Sequence, residues 1–434
     1  MHILIGVHGF PPLENGGAER RAERTALGLV SRGHRVTVLV SAPGPAAAVS
    51  RSTRDGLDIW RSEWMPVTPD QPFVWTYDRP DRHAFFADAI ATAHPDLVHV
   101  FSGYGSTAAA VRAAVAAPVP TVVSLTDFWW LCERVTLVTS SGVRCDGPSP
   151  AACGRCHAEM RRRYRWLDRL APGIAARFWR AAAAGRGPGG AEVTHFEQRI
   201  AHLRTVLGNV SAVVVPSAYV ARQHVHLGLD ASHMTVTRQG VVAPDDLPTR
   251  VPDAALRVGY LGQIKPHKGV DLLLGAWRRL TGAHPRRLTL WGDASGEPGY
   301  AASLRADIAA QGNGVAWSGE IHGHEVWEAL ANLDVVVVPS RWAENSPNVI
   351  LEAQALGIPV VGARIGGIPE LVRHDDNGLL FEVDSAGDLA RQLQRMLDEP
   401  DLVSRLGARA VAPKTFEHEL DELERIYRRL APHA

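Results

Sequence analysis

The sequence lacks several features that would point to a particular class of protein. Its 434 residues carry 46 Lys and Arg against 46 Asp and Glu, so no net field predicts a nucleic-acid partner. No apolar run approaches the roughly 20 residues that span a bilayer. A signal peptide begins with a basic segment, and no such segment precedes the predicted N-terminal strand. We therefore expect a cytoplasmic protein, with peripheral contact to the inner face of a membrane and the oligomeric state left open.

The glycine motif of dinucleotide-binding oxidoreductases is also absent. Such an enzyme should carry Gly-x-Gly-x-x-Gly in the turn after its first strand. That loop holds Gly16 and Gly17 instead, directly before a predicted helix. Adjacent glycines let backbone N–H groups approach an anion, such as a donor phosphate, although an ordinary strand–helix loop is the alternative. A Rossmann oxidoreductase is therefore disfavoured.

Apolar strand-like runs alternate with helical patterns over one half of the chain and then again over the other. Continuous Val, Ile and Leu runs indicate parallel sheets that are covered on both faces. A chain of this length is also too long for a single hydrophobic core and normally forms two domains. We therefore predict an α/β protein with two Rossmann-like, doubly wound parallel-sheet domains facing across a cleft, with ligands beyond the carboxyl ends of the strands. The predicted strands are His2–Val7, Arg35–Val40, Asp96–Phe101, Thr121–Leu125, Ala212–Pro216, Met234–Thr237, Arg257–Leu261, Arg287–Trp291, Gly314–Trp317, Asp334–Pro339, Pro359–Gly362 and Gly378–Phe381, and the first predicted helices are Ala18–Ser31 and Ala84–His94.

A Pro-rich break at Val242–Pro252 separates the two halves. We predict an N-terminal domain of residues 1–243 and a C-terminal domain of residues 253–413. An amphipathic helix follows at Phe416–Leu430, inside a C-terminal segment of residues 414–434.

A polar loop followed by an apolar helical run, with one carboxylate in each, is the most informative stretch of the chain. Glu344 lies in this polar loop, and Glu352 lies eight positions later in an apolar helical run. Free backbone N–H groups at the start of such a helix suit a phosphate, and each carboxylate can accept hydroxyls of a sugar or ribose. The segment is therefore predicted to bind a sugar, a diphosphate and a nucleoside. The loop residues between the carboxylates are Asn345, Ser346, Pro347, Asn348 and Val349.

Other predicted strands are followed by loops of similar character. Lys268 precedes a glycine after the first strand of the second half and suits a diphosphate oxygen, the alternative being a solvated lysine. Gln263 lies in the same loop. Glu320 and Ile321 follow another strand and could offer backbone groups to a base edge. Gly366-Gly367 is either a tight turn that requires positive φ or a ligand contact.

Together these residues resemble the GT-B glycosyltransferases, specifically the retaining glycosyltransferase family four, over nearly the whole chain. The most specific motifs are Glu344–Glu352 with Ala-Gln-Ala-Leu-Gly-Ile-Pro-Val-Val after it, and Gly366-Gly367-Ile368-Pro369-Glu370 with Asn377-Gly378. Gly262 to Lys268-Gly269 and Gly16-Gly17-Ala18-Glu19-Arg20 support them. The resemblance implies retaining transfer of a sugar from a nucleotide diphosphate sugar to a hydroxyl acceptor, with UDP favoured and GDP possible as the nucleotide.

The resemblance also implies roles for individual residues. Glu344 is expected near the donor sugar, Glu352 near the ribose, and Lys268 at the departing diphosphate, which accepts backbone N–H bonds from the 345–349 loop. The C-terminal helix is expected to cross back to the first domain. The sequence contains no Asp-x-Asp, the motif that holds a divalent metal in other glycosyltransferases. We therefore expect a metal-independent reaction centre in which Lys268 and helix N-termini stabilise the phosphate charge.

The acceptor side departs from the family pattern. Phe101 and Thr126 stand where the family often has histidine. Asp127 could bind an acceptor hydroxyl or cap a strand end, and His99 in an apolar strand is predicted as a core histidine. The departures leave a pseudo-glycosyltransferase or a non-catalytic sugar-nucleotide binder as alternatives. The acceptor-side candidates, besides Asp127, are Glu19, Arg20, His99, Ser102 and Thr126.

All four cysteines lie in one insertion, residues 132–156. The spacing of Cys132, Cys145, Cys153 and Cys156 is Cys-x12-Cys-x7-Cys-x2-Cys. Four thiolates could hold zinc tetrahedrally or ligate an iron–sulfur cluster, and two disulfides or free thiols are the alternatives. A structural zinc away from the catalytic centre is favoured.

Residues 161–204 form a basic segment with ten arginines and three acidic residues. Interleaved aromatic residues would let it lie on anionic lipid. It could equally hold a phosphorylated or lipid-linked acceptor, and a solvated helical hairpin is the remaining alternative.

Overall fold

The computed structural model describes most of the chain, which forms two compact units. The described residues are 1–14, 16–45, 49–68, 70–139, 142–145, 147–159, 173–174, 177–178, 181, 190–251, 253–399 and 401–433, with Asn313 described by its backbone alone. Unit 1 comprises Met1–Thr237 and Leu420–Ala434, and unit 2 comprises Arg238–Glu419. Most of the predicted basic segment up to residue 189 lies outside the described residues.

Unit 1 is built on an eight-stranded sheet whose central Val- and Ile-rich strands are buried. The strands are β1 His2–Val7, β2 Arg35–Pro43, β3 Ser50–Arg54, β4 Leu57–Trp64, β5 Leu97–Phe101, β6 Thr121–Ser124, β7 Ala212–Val215 and β8 Met234–Val236. Their order is β3-β4-β2-β1-β5-β6-β7-β8, and neighbours run parallel except β3 and β4. The direction of winding reverses between β1 and β5, which is the topological switch point where ligands bind in such sheets.

Helices connect most of these parallel strands, whereas β2 and β4 are joined through β3. They are α1 Gly17–Ser31, α2 Pro80–Ala93, α3 Thr107–Ala116, α4 Pro150–Glu159, α5 Gly190–Gly208 and α6 Ala218–His226, with short 3-10 helices at Phe73–Thr76 and Ala231–His233. Local signals set their starts. Proline occupies the first turn of α2, and the side chain of Ser217 accepts the backbone N–H of Val220 to cap α6.

Unit 2 repeats this design around a six-stranded parallel sheet. Its strands are β9 Leu256–Leu261, β10 Arg286–Trp291, β11 Val315–Trp317, β12 Val335–Val338, β13 Val360–Ala363 and β14 Gly378–Phe381, in the order β11-β10-β9-β12-β13-β14. Its helices are α7 Val270–Trp277, α8 Pro298–Gln311, α9 His324–Ala331, α10 Asn348–Ala355, α11 Ile368–Leu371, α12 Ala386–Asp398 and α13 Leu402–Gly407, with 3-10 helices at Pro266–Lys268 and Gly312–Gly314. The last helix, α14 Phe416–Leu430, contains the boundary between the two units. The winding reverses between β9 and β12, so the switch point lies there.

The predicted class, two doubly wound parallel-sheet α/β units, is confirmed. One hairpin, β3–β4, was not predicted. The sequence of β3, Ser-Arg-Ser-Thr-Arg, contains no apolar residue, and the strand is mostly exposed at the sheet edge. The turn between the strands is Asp55-Gly56, both with positive φ (52° and 80°), which is the Asp-Gly signal of a two-residue hairpin.

From Leu420 onward, the last helix, α14, is part of unit 1. Its apolar stripe of Leu420, Leu423, Ile426 and Tyr427 is buried. A polar residue of the same helix also contacts the rest of unit 1, because Glu424 Oε1 accepts a hydrogen bond from His34 Nε2 at 2.8 Å. Within the described ranges, none of the helices combines the length and apolar character needed to cross a membrane.

Candidate functional site

Two loops meet at the switch point of unit 2. Lys268 follows β9 and Glu344 follows β12, and these strands are neighbours in the sheet. Although 76 positions separate the two residues, Lys268 Nζ donates to Glu344 Oε1 at 2.7 Å. The structure thus brings together the two charged residues that the sequence motifs single out.

The carboxylate of Glu344 is buried and receives three donors on one oxygen. Lys268 Nζ, Ser340 Oγ and Trp342 Nε1 each lie 2.7 Å from Oε1. Burial alone would raise the pKa of Glu344, but the charge and hydrogen bond of Lys268, with the bonds from Ser340 and Trp342, hold the pKa below its usual value. Glu344 is therefore ionised at neutral pH. Within the described residues no donor reaches Oε2.

A glycine turn supports the backbone of Glu344. The N–H of Gly367 donates to the carbonyl of Glu344 at 2.7 Å. Gly366 adopts φ +61°, and a Cβ there would lie 2.4 Å from the same carbonyl oxygen. The tight-turn interpretation of Gly366-Gly367 is therefore confirmed, and only glycine fits at the first position.

An arginine anchors the other end of the Ser340–Glu344 loop. Arg341 donates to both oxygens of Asp271, at 2.6 and 2.8 Å, and its backbone N–H donates to the carbonyl of His267 at 2.9 Å. Asp271 also accepts from the Tyr300 hydroxyl at 2.6 Å. These contacts link the loop after β12 to the loop after β9 and to the start of α7. Sequence reasoning missed Ser340, Arg341 and Trp342, because loop side chains follow no periodicity.

The remaining donor-side candidates surround this pair or lie beside it. Residues 345–347 form the loop before α10, whereas Asn348 and Val349 are the first residues of the helix, and Glu352 is half-buried one turn further on. Ser346 Oγ is buried and has no hydrogen-bond partner in the described part of the chain, which is unusual for a native fold. Gln263 is exposed, and its carbonyl accepts from the Tyr260 hydroxyl at 2.7 Å.

A pocket of about 720 Å³ lies at the carboxyl ends of β10 and β11. Glu320 lines it together with Gly319, whereas Ile321 does not line it. Other lining residues are Gly292, Asp293, Arg305 and Trp317. Its size suits a nucleoside-sized ligand.

In unit 1, a second polar group lies after β1. His8 Nε2 lies 3.0 Å from Glu19 Oε1, and both side chains are largely buried. Burial opposes protonation of His8, but the hydrogen bond and charge of Glu19 raise its pKa above the usual value. A Cβ on Gly16 would lie 2.3 Å from Glu19 Oε2, so the carboxylate of Glu19 lies against the backbone at the start of α1. Sequence reasoning missed His8.

Asp127, after β6, forms a pair with Ser102, after β5. The Ser102 hydroxyl donates to Asp127 Oδ2 at 2.5 Å, and the Trp129 N–H donates to Oδ1 at 2.8 Å. Burial raises the pKa of Asp127, and these two hydrogen bonds oppose the rise only in part. Ser102 itself holds φ +65°, a strained conformation for a residue other than glycine and one that clusters at functional sites.

The other acceptor-side candidates are more scattered. His99 is fully buried in β5, where its ring nitrogens contact the Tyr427 and Ser124 hydroxyls at 2.6 and 2.8 Å. Burial lowers the pKa of His99 to about 3, which fits a neutral core histidine. Arg20 is exposed on α1, Gly17 is exposed at its first position, and Thr126 is half-buried after β6.

The zinc prediction is not supported. Within the described ranges, no three or more His, Cys, Asp or Glu side chains are grouped so that they could hold a metal ion. This leaves the iron–sulfur alternative without support too. The two-disulfide alternative is wrong, because Cys132, Cys145, Cys153 and Cys156 form no disulfide.

The two units each match a family model. Residues 15–243 match the family described as Glycosyltransferase Family 4, and residues 248–412 match Glycosyl transferases group 1. Because the Family 4 model matches more than half of its residues, the chain belongs to glycosyltransferase family 4.

Curated relatives match over part of their length. The D-inositol 3-phosphate glycosyltransferase of Stackebrandtia nassauensis is 34% identical over 214 residues, which are 45% of this chain and 48% of the relative. That of Mycolicibacterium smegmatis is 34% identical over 211 residues, which are 47% of this chain and 46% of the relative. The chain thus spans about half the length of the curated relatives it matches.

Solved structures share the fold over the whole chain. The Anabaena protein Alr3699/HepE, in complex with UDP and glucose, has a TM-score of 0.65 at 18% identity and covers 99% of this chain and 100% of its own. Sucrose-phosphate synthase from Thermosynechococcus elongatus has a TM-score of 0.68 at 19% identity and covers 100% and 99%.

Proposed function

We propose that this protein transfers a sugar from a nucleotide diphosphate sugar to a hydroxyl acceptor, with retention at the anomeric carbon. The observation that carries the proposal is the buried Glu344 carboxylate, held by Lys268 at the switch point of the unit that matches the group 1 family model. A carboxylate with one oxygen occupied by donors and the other open can accept a sugar hydroxyl. An ammonium beside it can take up the charge of a leaving diphosphate.

The reaction breaks the bond between the anomeric carbon and a phosphate oxygen, and the electron pair leaves with the diphosphate. In this proposal Lys268 exchanges the carboxylate of Glu344 for the diphosphate, and the start of α10 adds backbone N–H donors. The acceptor oxygen bonds to the carbon on the same face, and its proton passes to the departing phosphate. Because the sequence has no Asp-x-Asp, we propose that the charge is balanced without a metal at this centre.

The nucleoside end is proposed to occupy the pocket beside Glu320, with Glu352 at the ribose. A buried Ser346 hydroxyl that has no partner among the described residues supports a ligand at the intervening loop, since such groups are normally satisfied. UDP is favoured as the nucleotide, and GDP is the second choice. The structure of Alr3699/HepE in complex with UDP and glucose supports this order.

The acceptor is proposed to bind in unit 1, near Asp127 and Glu19. Relatives named for D-inositol 3-phosphate support a phosphorylated polyol as one acceptor to test, beside glycan and lipid-linked acceptors. We propose a cytoplasmic location, with contact to the inner face of a membrane if the acceptor is lipid-linked.

Release of nucleoside diphosphate from a panel of UDP-, GDP- and ADP-sugars tests the proposal. Wild-type protein should release it with one nucleotide class, and Lys268→Ala should abolish release while the protein stays folded, with a melting temperature lowered by the loss of the buried ion pair. Lys414→Ala is the matched control, since Lys265, Lys268 and Lys414 are the only lysines of the chain. No release with any donor would refute the proposed activity, whereas full activity of Lys268→Ala would refute only the role of the lysine.

A further inference from the structure

One side chain contacts both members of the Glu344–Lys268 pair. Trp342 donates its indole N–H to Glu344 Oε1 at 2.7 Å, and Lys268 Nζ lies 4.7 Å from the centre of its ring. We infer that Trp342 is a positioning residue that holds the carboxylate through its N–H and the ammonium against its face. The inference rests on the proposed function, in which Glu344 and Lys268 act on the donor.

The N–H matters because Lys268 has to change partners. When the ammonium turns to the diphosphate, Glu344 loses its counter-charge while remaining buried. A buried carboxylate without donors is costly. Ser340 and Trp342 lie in the same loop as Glu344 and do not take part in the exchange. Their two hydrogen bonds to Oε1 remain when Lys268 moves. The carboxylate therefore keeps its orientation, with Oε2 directed toward the donor sugar.

The ring face matters because it gives Lys268 a second attractive contact. A cation near the face of an indole is held by the ring quadrupole. His267 packs against the ring of Trp342 with centroids 5.1 Å apart and planes at 65°, which fixes the orientation of the indole. Burial lowers the pKa of His267 to about 4, so at neutral pH this imidazole adds no positive charge beside Lys268.

Two substitutions separate these contacts. Trp342→Phe keeps an aromatic face and removes the N–H, whereas Trp342→Leu removes both. We expect Trp342→Phe to lower kcat by about 10- to 100-fold, the effect of losing one hydrogen bond to a charged group, with the donor KM nearly unchanged. Trp342→Leu should also raise the Kd for the nucleoside diphosphate by about 2- to 5-fold, through loss of the cation–ring contact.

The pH profile provides a readout that a purely structural role would not move. The indole bond favours the ionised form of Glu344, so Trp342→Phe should shift the acid limb of kcat to higher pH. In the described part of the chain, the ionisable groups that interact with Glu344 include Lys268, His267 and Tyr260, and this change leaves all three in place. Trp60→Phe is the control, because Arg51 lies 3.8 Å over that ring in unit 1, and it should match wild type in every measurement.

The outcomes separate this inference from the proposed function. A wild-type level of kcat and an unmoved acid limb in Trp342→Phe would overturn the inference while leaving the transferase activity established. The inference would also be overturned, in favour of a packing role, if Trp342→Phe and Trp342→Leu lowered kcat and raised KM by the same factors and both had lower melting temperatures. A wild-type protein that transfers no sugar would refute the proposed function itself.

Discussion

The turn beneath Glu344 allows a sharp test through Gly366→Ala. Gly366 holds φ +61°, and a Cβ added there would lie 2.4 Å from the carbonyl oxygen and 2.7 Å from the nitrogen of Glu344. Real Cβ atoms do not approach backbone this closely, so either the turn or the loop of Glu344 must move. We expect both stability and activity to fall.

The magnitude follows from two terms. A left-handed conformation costs a non-glycine residue roughly 1–2 kcal/mol, and overpacking adds about 1–3 kcal/mol. Gly282→Ala is a matched control, because Gly282 has φ +88° and, in the described part of the chain, the only neighbour of its Cβ would be His284 Cδ2 at 3.6 Å. It shares the conformational strain and the unfolded-state effect of a methyl group without the collision. The difference between the variants, about 1–3 kcal/mol, therefore measures the collision alone.

Thermal unfolding and nucleoside diphosphate release report the two consequences. Gly366→Ala should melt several degrees below Gly282→Ala, given a unit of this size. Its kcat should fall by about 100-fold if Glu344 moves by about 1 Å, while Gly282→Ala keeps the wild-type kcat. Equal melting temperatures together with full activity of Gly366→Ala would show that the turn does not hold Glu344.

Two further predictions concern buried polar groups. Glu344→Gln should lower kcat, and the stability advantage of wild type over this variant should shrink as the pH falls below about 4.5, the usual pKa of glutamate. The sign follows because the pKa of Glu344 is lower in the folded state than in the unfolded state. Its contribution to stability is therefore complete above the unfolded-state pKa and is lost as the pH falls through the folded-state pKa. A difference in Tm between wild type and Glu344→Gln that stays constant at acid pH would contradict this reasoning. Tyr427→Phe should destabilise unit 1 by about 1–3 kcal/mol, since it leaves a buried nitrogen of His99 without its 2.6 Å partner. Tyr104→Phe, at an exposed position, is the control, and equal melting temperatures of the two variants would refute the reasoning.

Apolar strands were predictable because burial on both faces leaves a continuous signal in the sequence. The four consecutive valines of β12 are all buried, and such a run is typical of a central strand in a parallel sheet. The edge strand β3 carries no such signal, because its side chains are exposed. Its turn, Asp55-Gly56, was nevertheless visible in the sequence. Turn chemistry can therefore reveal an edge hairpin that hydrophobicity does not.

The pairing of Lys268 with Glu344 could be predicted from topology, and the geometry of the pair could not. In a doubly wound sheet the first strand and the first strand after the reversal are neighbours, so the loops that follow them meet. The order β9-β12 has this consequence in unit 2. Nothing comparable predicts that Ser340 and Trp342 turn toward the same oxygen, because side-chain direction follows a period only inside helices and strands.

The same topological rule applies to unit 1 and shows why His8 was missed. There the reversal lies between β1 and β5, so the loops that follow those two strands should meet. His8 is the first residue after β1, and Ser102 is the first after β5. Motif comparison drew attention to the later Gly16-Gly17 and passed over His8, which belongs to no motif. Inspecting the first polar residue after each strand at a reversal would have selected both residues without any family knowledge, just as it selects the neighbourhood of Glu344 in unit 2.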